Sequence, residues 1–334
     1  MKEIVVISGK GGTGKTSLVA SFAALSRNAV LADCDVDAAD LHLLLAPTIR
    51  RREEFRCGHE AVIRQKDCIS CGACLARCRF GAVLRFNGAA DELWSGAKTT
   101  CSNCADGCKR SCPVKFADMI EAMRAAGGGG KEHGFLIDPT ACEGCGVCVW
   151  ACPAKAIDFP ERLSGEWYVS DTRHGPMVHA RLKPGGENSG KLVSKVREAA
   201  RTIAVERGLD LVLVDGPPGV GCPVIASVSG ASQVLVVTEP TLSGAHDMAR
   251  VLELARHFTI PAAVCVNKWD LNPAMTERIE VQARKFGATL AGRVRYDQTV
   301  TQAQIQGRAV VELCGSAAGG DMQAVWENLR RREQ

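Results

Sequence analysis

Residues Ser8-Gly9-Lys10-Gly11-Gly12-Thr13-Gly14-Lys15-Thr16 follow directly on the apolar run Lys2-Glu3-Ile4-Val5-Val6-Ile7 and precede a helix expected from Ser17 to Leu25. A buried strand, a glycine-rich loop and a helix, in that order, leave few structures open: they form a phosphate-binding loop. The glycines let the backbone curl until successive N–H groups point inward, and the helix N-terminus adds its positive dipole end. Gly11, Gly12, Thr13, Gly14, Lys15, Thr16 and Ser17 are the expected nucleotide contacts. Lys15 is placed to reach the β/γ-phosphates, and the Thr16 hydroxyl to ligate Mg²⁺.

At 334 residues the chain exceeds one usual domain, so two units are expected. The net charge of +4 is modest and spread along the chain. Basic and aromatic residues do not interleave, so nucleic acid is not an expected partner. Met1 runs straight into the first strand, leaving no room for a leader. No apolar run approaches the ~20 residues needed to cross a bilayer. A cytoplasmic protein without stable membrane insertion is expected. In that reducing compartment seventeen cysteines do not read as disulfides. Thirteen of them lie between Cys57 and Cys152, which marks a cysteine-dense module inside an α/β chain.

Cys68, Cys71, Cys74 and Cys78 have the bacterial ferredoxin spacing, as do Cys142, Cys145, Cys148 and Cys152. In two-cluster ferredoxins the fourth cysteine of each run ligates the other cluster. One [4Fe–4S] cluster is then expected on Cys68, Cys71, Cys74 and Cys152, and the second on Cys142, Cys145, Cys148 and Cys78. Arg79 stands where the second run has Pro153, which changes the turn but removes no ligand. Zinc is the competing reading of any CxxC pair, and two complete runs favour clusters. Cys101, Cys104, Cys108 and Cys112 break the ferredoxin spacing by one residue. They suit a third Fe–S cluster or a tetrahedral Zn²⁺ site. The expected boundaries are 1–55 and 161–334 for the nucleotide-binding domain and 56–160 for the inserted iron–sulfur domain, with an extra cysteine-rich segment at about 85–133 that ends in a glycine-rich joint.

Elsewhere the chain alternates strands with helices. The strand from Asn28 ends in Asp33, Asp35 and Asp37, and the strand from Leu209 ends in Asp215, followed by Gly216-Pro217-Pro218-Gly219. Acidic groups at the carboxyl ends of parallel strands face the ligand crevice. Asp215 reads as a Walker B residue holding the Mg²⁺ water shell. The lysine at position 10, in the form KGGTGKT, together with Asp215–Gly219, resembles the deviant Walker A class: MinD, Mrp, ParA and the nitrogenase iron protein. Nearly the whole chain, apart from the segment around Cys101–Cys112, resembles MinD-superfamily P-loop ATPases containing an inserted ferredoxin domain.

That resemblance implies a doubly wound, mostly parallel α/β sheet and an ATP-dependent homodimer or a heterodimer with a related ATPase. It implies that Lys10 reaches the partner subunit's nucleotide and that Asp35 orients or deprotonates the attacking water. A glycine N–H near Gly219 senses the γ-phosphate, and Asn267 contacts the adenine base. Asp33 is a candidate for the Mg²⁺ shell, whereas Asp37 and Asp40 suit turn and cap chemistry. Asn267-Lys268-Trp269-Asp270 also matches the guanine-reading NKxD pattern; Lys10 makes ATP the expected nucleotide. Cys222 suits a structural or accessory role, and Met322–Arg332 a final packing helix rather than a membrane anchor. The implied function is ATP hydrolysis coupled to electron transfer, or to metallocofactor or iron–sulfur protein assembly, with a redox or cofactor-assembly partner. A MinD-like spatial organiser with structural or sensory clusters is the alternative.

Overall fold

The computed structural model describes residues 1–87, 133–183 and 189–331. Cys101, Cys104, Cys108 and Cys112 lie outside the described residues. Two compact units are present: Met1–Phe55, Gly165–Lys183 and Asn188–Gln334 form one, and Arg56–Ser164 supplies the other.

The strands in chain order are β1 (Lys2–Ser8), β2 (Ala29–Asp33), β3 (Thr48–His59), β4 (Val62–Ile63), β5 (Val83–Asn87), β6 (His133–Ile137) and β7 (Ile157–Asp158). They continue as β8 (Glu161–Thr172), β9 (Gly175–Leu182), β10 (Leu211–Pro218), β11 (Gln233–Thr238), β12 (Ala262–Asn267) and β13 (Thr289–Val294). Nine of them form one sheet in the order β13-β12-β11-β1-β10-β2-β9-β8-β3. From β13 to β9 every pair is parallel. β8 returns antiparallel along β9.

The central strands are continuous apolar runs because both faces of a parallel sheet are covered. Their side chains divide by period two. Val5, Ile7, Val30, Val212, Val214, Val234 and Val236 pack on one face with the helices Ser189–Glu206, Leu242–His257 and Pro273–Lys285. Ile4, Val6, Leu31, Leu213, Leu235 and Val237 pack on the other with the helices Lys15–Leu25 and Ala317–Arg331. The last of these helices is a packing element, as expected. It buries Met322, Val325, Trp326 and Leu329, and Trp326 stacks on Phe22 with centroids 5.0 Å apart. Among the described residues no helix is long and apolar enough to cross a membrane.

From β1 the chain steps to β2 on one side, and from β10 it steps over β1 to β11 on the other. That reversal opens a crevice at the carboxyl ends of these strands, where α/β sheets bind ligands. In the nucleotide-binding unit, the elements not expected from the sequence include the charged edge strand β3 and the helices Cys222–Val228 and Thr299–Ile305.

In the Arg56–Ser164 unit, β4 pairs antiparallel with β7 and β5 with β6. Two short helices, Ala73–Arg77 and Val147–Ala151, each start after a glycine in the left-handed region, Gly72 at φ 75° and Gly146 at φ 73°. Ala61, Ile63, Val83, Phe135 and Ile157 form the small core between the cysteine runs.

Candidate functional site

Asp33 and Asp215 are register partners on the adjacent strands β2 and β10. Lys15, in the first turn of the helix after the loop, is buried against the ends of these two strands. Its Nζ donates to Asp215 Oδ1 at 2.8 Å and lies 3.4 Å from Asp35 Oδ2. Burial pulls the Lys15 pKa down, but the charges of Asp215 and then Asp35 outweigh it, and the net shift is upward. Asp35 is raised, chiefly by burial, against the pull of Lys15. Asp33 is fully buried, and burial followed by repulsion from Asp215 raises it well above the usual carboxylate range. Its two oxygens accept from the Asp35 and Leu41 amides at 3.2 and 3.3 Å. Asp33 therefore holds the loop that presents Asp35.

The phosphate loop is braced from the far side of β1. Asn267, at the carboxyl end of β12, donates through Nδ2 to the Thr13 carbonyl at 2.8 Å and accepts from Lys268 N at 3.0 Å. Gly14 sits at φ 84°, and a Cβ there would come within 2.3 Å of Asn267 Nδ2, so only glycine fits. The adenine contact implied for Asn267 thus competes with a bracing role. Asp270, the fourth residue of the NKxD pattern, accepts the Tyr296 amide at 2.7 Å. The buried Ser17 hydroxyl accepts from Gln304 Nε2 at 3.1 Å. Thr16 is half-buried in the same turn. Gly219, after β10, is at φ 94°, and its N–H donates to the Ser8 carbonyl at 2.8 Å, tying the second acidic loop to the phosphate loop. Gly11 and Gly12 are exposed at the loop tip. Asp40 occupies the N-cap position of the Leu41–Leu45 helix, but its side chain makes no cap bond, contrary to expectation.

Lys10 lies at the mouth of the loop, 3.4 Å from Glu239 Oε2, while Lys268 reaches Glu239 Oε1 at 2.5 Å. Glu239 was missed from sequence, although it too follows the carboxyl end of a parallel strand. Cys222 is exposed at the start of its helix.

Two buried atoms in this crevice have no partner among the described residues: Asp215 Oδ2 and Thr13 Oγ1. An unpaired buried carboxylate oxygen beside a lysine and a hydroxyl suits a hydrated divalent cation and a polyphosphate, which would satisfy it.

The other unit carries two cavities. Cys78, Cys142, Cys145 and Cys148 line the first. Cys68, Cys71, Cys74 and Cys152 line the second. Each set joins three cysteines of one run to the fourth of the other. Among the described residues no three His, Cys, Asp or Glu side chains converge on a single-ion site. The thiols instead stand around the walls of apolar cavities. The Ser70 amide points at Cys68 Sγ at 3.4 Å and the Ala156 amide at Cys152 Sγ at 3.3 Å, the kind of donor that holds cluster thiolates. Four sulfur donors per cavity, two of those in the second with amide support, fit a cubane cluster.

A sheet reversal with a phosphate loop, a buried lysine between two acidic strand ends and paired loops at the same crevice define a P-loop nucleotide-binding protein. The chain belongs to the CobQ/CobB/MinD/ParA nucleotide-binding family, whose model matches residues 4–310. It is 30% identical over 274 residues to uncharacterized protein MJ0578 of Methanocaldococcus jannaschii, covering 81% of this chain and 79% of that one. A shorter stretch, 19% of the chain, is 34% identical over 74 residues to one component of the ferredoxin:CoB-CoM heterodisulfide reductase of Methanosarcina mazei, covering 9% of that protein. The fold is similar to that of the cell division ATPase MinD of Pyrococcus furiosus, with a TM-score of 0.53, 14% identity and 99% of both chains covered. The architecture is thus a MinD-like α/β fold with an inserted ferredoxin-like, cysteine-rich segment.

Proposed function

We propose that this protein is a Mg²⁺-dependent ATPase that retains two [4Fe–4S] clusters and uses its nucleotide state to gate electron transfer to a redox partner. The observation that carries the reading is the crossed grouping of the eight thiols, three from one run and one from the other around each cavity. Closed four-thiolate sets of that kind favour clusters held in place over clusters handed on. When bound, the clusters would supply one-electron storage at each cavity.

The chain's own residues set the coupling. Lys15 and the loop amides bind the β/γ-phosphates, and Thr16 with Asp215 holds the hydrated Mg²⁺. Asp35 orients the attacking water. For Lys15 to meet phosphate it must leave Asp215 Oδ1, and for Gly219 to sense a γ-phosphate its N–H must leave the Ser8 carbonyl. In an ATP-dependent dimer, Lys10 would exchange Glu239 for the second protomer's nucleotide. The chain leaves the nucleotide unit at Phe55, soon after the Asp33–Asp40 loop, so movement of that loop acts on the start of the insert. The working compartment is the cytoplasm, where thiols stay reduced.

An anaerobic redox titration followed by EPR, with and without Mg-ATP, tests the coupling. A nucleotide-dependent shift on the order of tens of millivolts is expected. Two reducible clusters whose potentials ignore Mg-ATP would favour cofactor assembly or spatial organisation instead.

A further inference from the structure

The two cysteine runs are internal repeats, so each cavity rim serves as a control for the other. Aligning Cys68–Cys78 on Cys142–Cys152 pairs Ala73 with Val147, Ala76 with Trp150, Arg77 with Ala151, Arg79 with Pro153 and Phe80 with Ala154. Val147 and Phe80 both line the Cys78 cavity, whereas their counterparts Ala73 and Ala154 line the Cys152 cavity. Phe80 and Val147 of that lining, and Trp150 one turn beyond Val147 on the same helix, are not buried. Trp150 is 89% exposed, Phe80 50% and Val147 39%. Val147 and Trp150 are three residues apart and share one face of their helix. Arg77 and Arg79, on either side of Cys78, are exposed and have no ion pair among the described residues. Glu143 is the one charged residue lining this cavity. Among the residues lining the other cavity Ile69 is the only large exposed apolar group; the positions matching both arginines, Ala151 and Pro153, are uncharged, and the exposed charge next along the chain from Cys152 is Lys155.

We propose that the surface beside the Cys78 cavity, comprising Phe80 and Val147 of its lining, Trp150 one turn along the helix from Val147, and Arg77 and Arg79 on either side of Cys78, is the docking surface for a small acidic one-electron carrier protein. The proposal rests on the cluster reading above. An exposed tryptophan, on a helix packed against the one that ends in the unpaired Arg77, has the composition of a binding hot spot, and it costs solvation while uncovered. The arginines select a partner of opposite charge and steer its approach. Flanking Cys78 with them makes its cavity the exchange side: one electron leaves that cavity's cluster and reduces the carrier by one.

The test measures binding of an acidic plant-type [2Fe–2S] ferredoxin, used as a probe, to the full-length iron-loaded protein by calorimetry at low and at physiological salt. Wild type is expected to bind at low salt and more weakly as salt rises. Arg77→Glu with Arg79→Glu should weaken binding about tenfold. Arg284→Glu with Lys285→Glu, which changes net charge equally on the exposed end of a helix in the nucleotide unit, should have less than about a twofold effect. Trp150→Ala should also weaken binding about tenfold with unchanged visible absorbance. Absence of wild-type binding, salt-insensitive binding, or equal effects of the two charge-reversal pairs would each overturn the proposal. So would self-association that Trp150→Ala abolishes, since the occupant would then be a second copy. Protein lacking iron would remove the cluster reading and this one with it; iron-replete protein indifferent to these substitutions removes the docking surface alone.

Discussion

Lys15 shows how one side chain can serve both stability and chemistry. It is the cation among Asp215, Asp35 and Asp33, the last two of which are raised chiefly by burial. Lys15→Ala should lower ATP hydrolysis about a hundredfold or more, as loss of a charged phosphate clamp does. It should also destabilise the nucleotide-free protein by about 3 kcal/mol, because it strands buried carboxylates. Phosphate release and urea denaturation read the two effects separately. The matching test at the other end of the sheet is Glu3, buried at the amino end of β1. Its Oε1 accepts from Arg197 Nε at 2.7 Å and its Oε2 from Arg201 Nε at 2.8 Å. Glu3→Gln should cost about 3 kcal/mol in urea denaturation, while KM for ATP stays unchanged. A raised KM would mean that this ion pair communicates with the crevice.

At the scale of elements, one arginine ties three segments together. Arg173, in the turn between β8 and β9, donates to Glu312 Oε2 at 2.7 Å, to the Leu44 carbonyl at 2.8 Å and to the Gly307 carbonyl at 3.2 Å. Glu312 also accepts the Ala309 amide at 2.6 Å. The Arg173 hydrogen bond, helped by that amide and opposed by burial, pulls Glu312 down from 4.5 to about 2. A carboxylate depressed in the folded state stabilises it above the unfolded value, and the gain is lost as pH falls through the folded value. The melting temperature of wild type should therefore exceed that of Glu312→Gln at neutral pH. The difference should shrink between pH 4.5 and about 2. A gap that persists at the acid end would show that the charge is not what matters. The edge strand β3 is held in a related way. Arg50 pairs with Asp171 at 2.8 Å and Arg52 with Glu166 at 2.6 Å on β8. Its Thr48–Phe55 stretch is mostly charged, so apolar alternation could not reveal it; charge at an exposed edge discourages pairing with other chains. Apolar runs such as Val234–Val237 were legible, because a strand buried on both faces must be hydrophobic throughout.

For the whole molecule, the crossed thiol sets give a quantitative expectation. Iron analysis of wild type should find about eight Fe from the described cysteines, and Cys78→Ala about four. Cys152→Ala should lose a similar amount but the other EPR signal, although Cys152 belongs to the same run as the three thiols that keep their cluster. If either change removed both signals, the cavities would not be independent.

The sequence by itself determined whatever depends on spacing within a few residues. The phosphate loop is one case, since curling a backbone around phosphate needs glycines at set intervals. The two ferredoxin runs are another, since three thiols on one tight loop can meet one cluster. What joins distant residues was decided by the tertiary structure. Glu239 holding both Lys10 and Lys268, Asn267 bracing Thr13, and Lys15 held by Asp215 all depend on which strand ends lie side by side. Strand order and packing bring them together, and hydrogen bonds and charges formed across hundreds of residues leave no periodic trace in the chain.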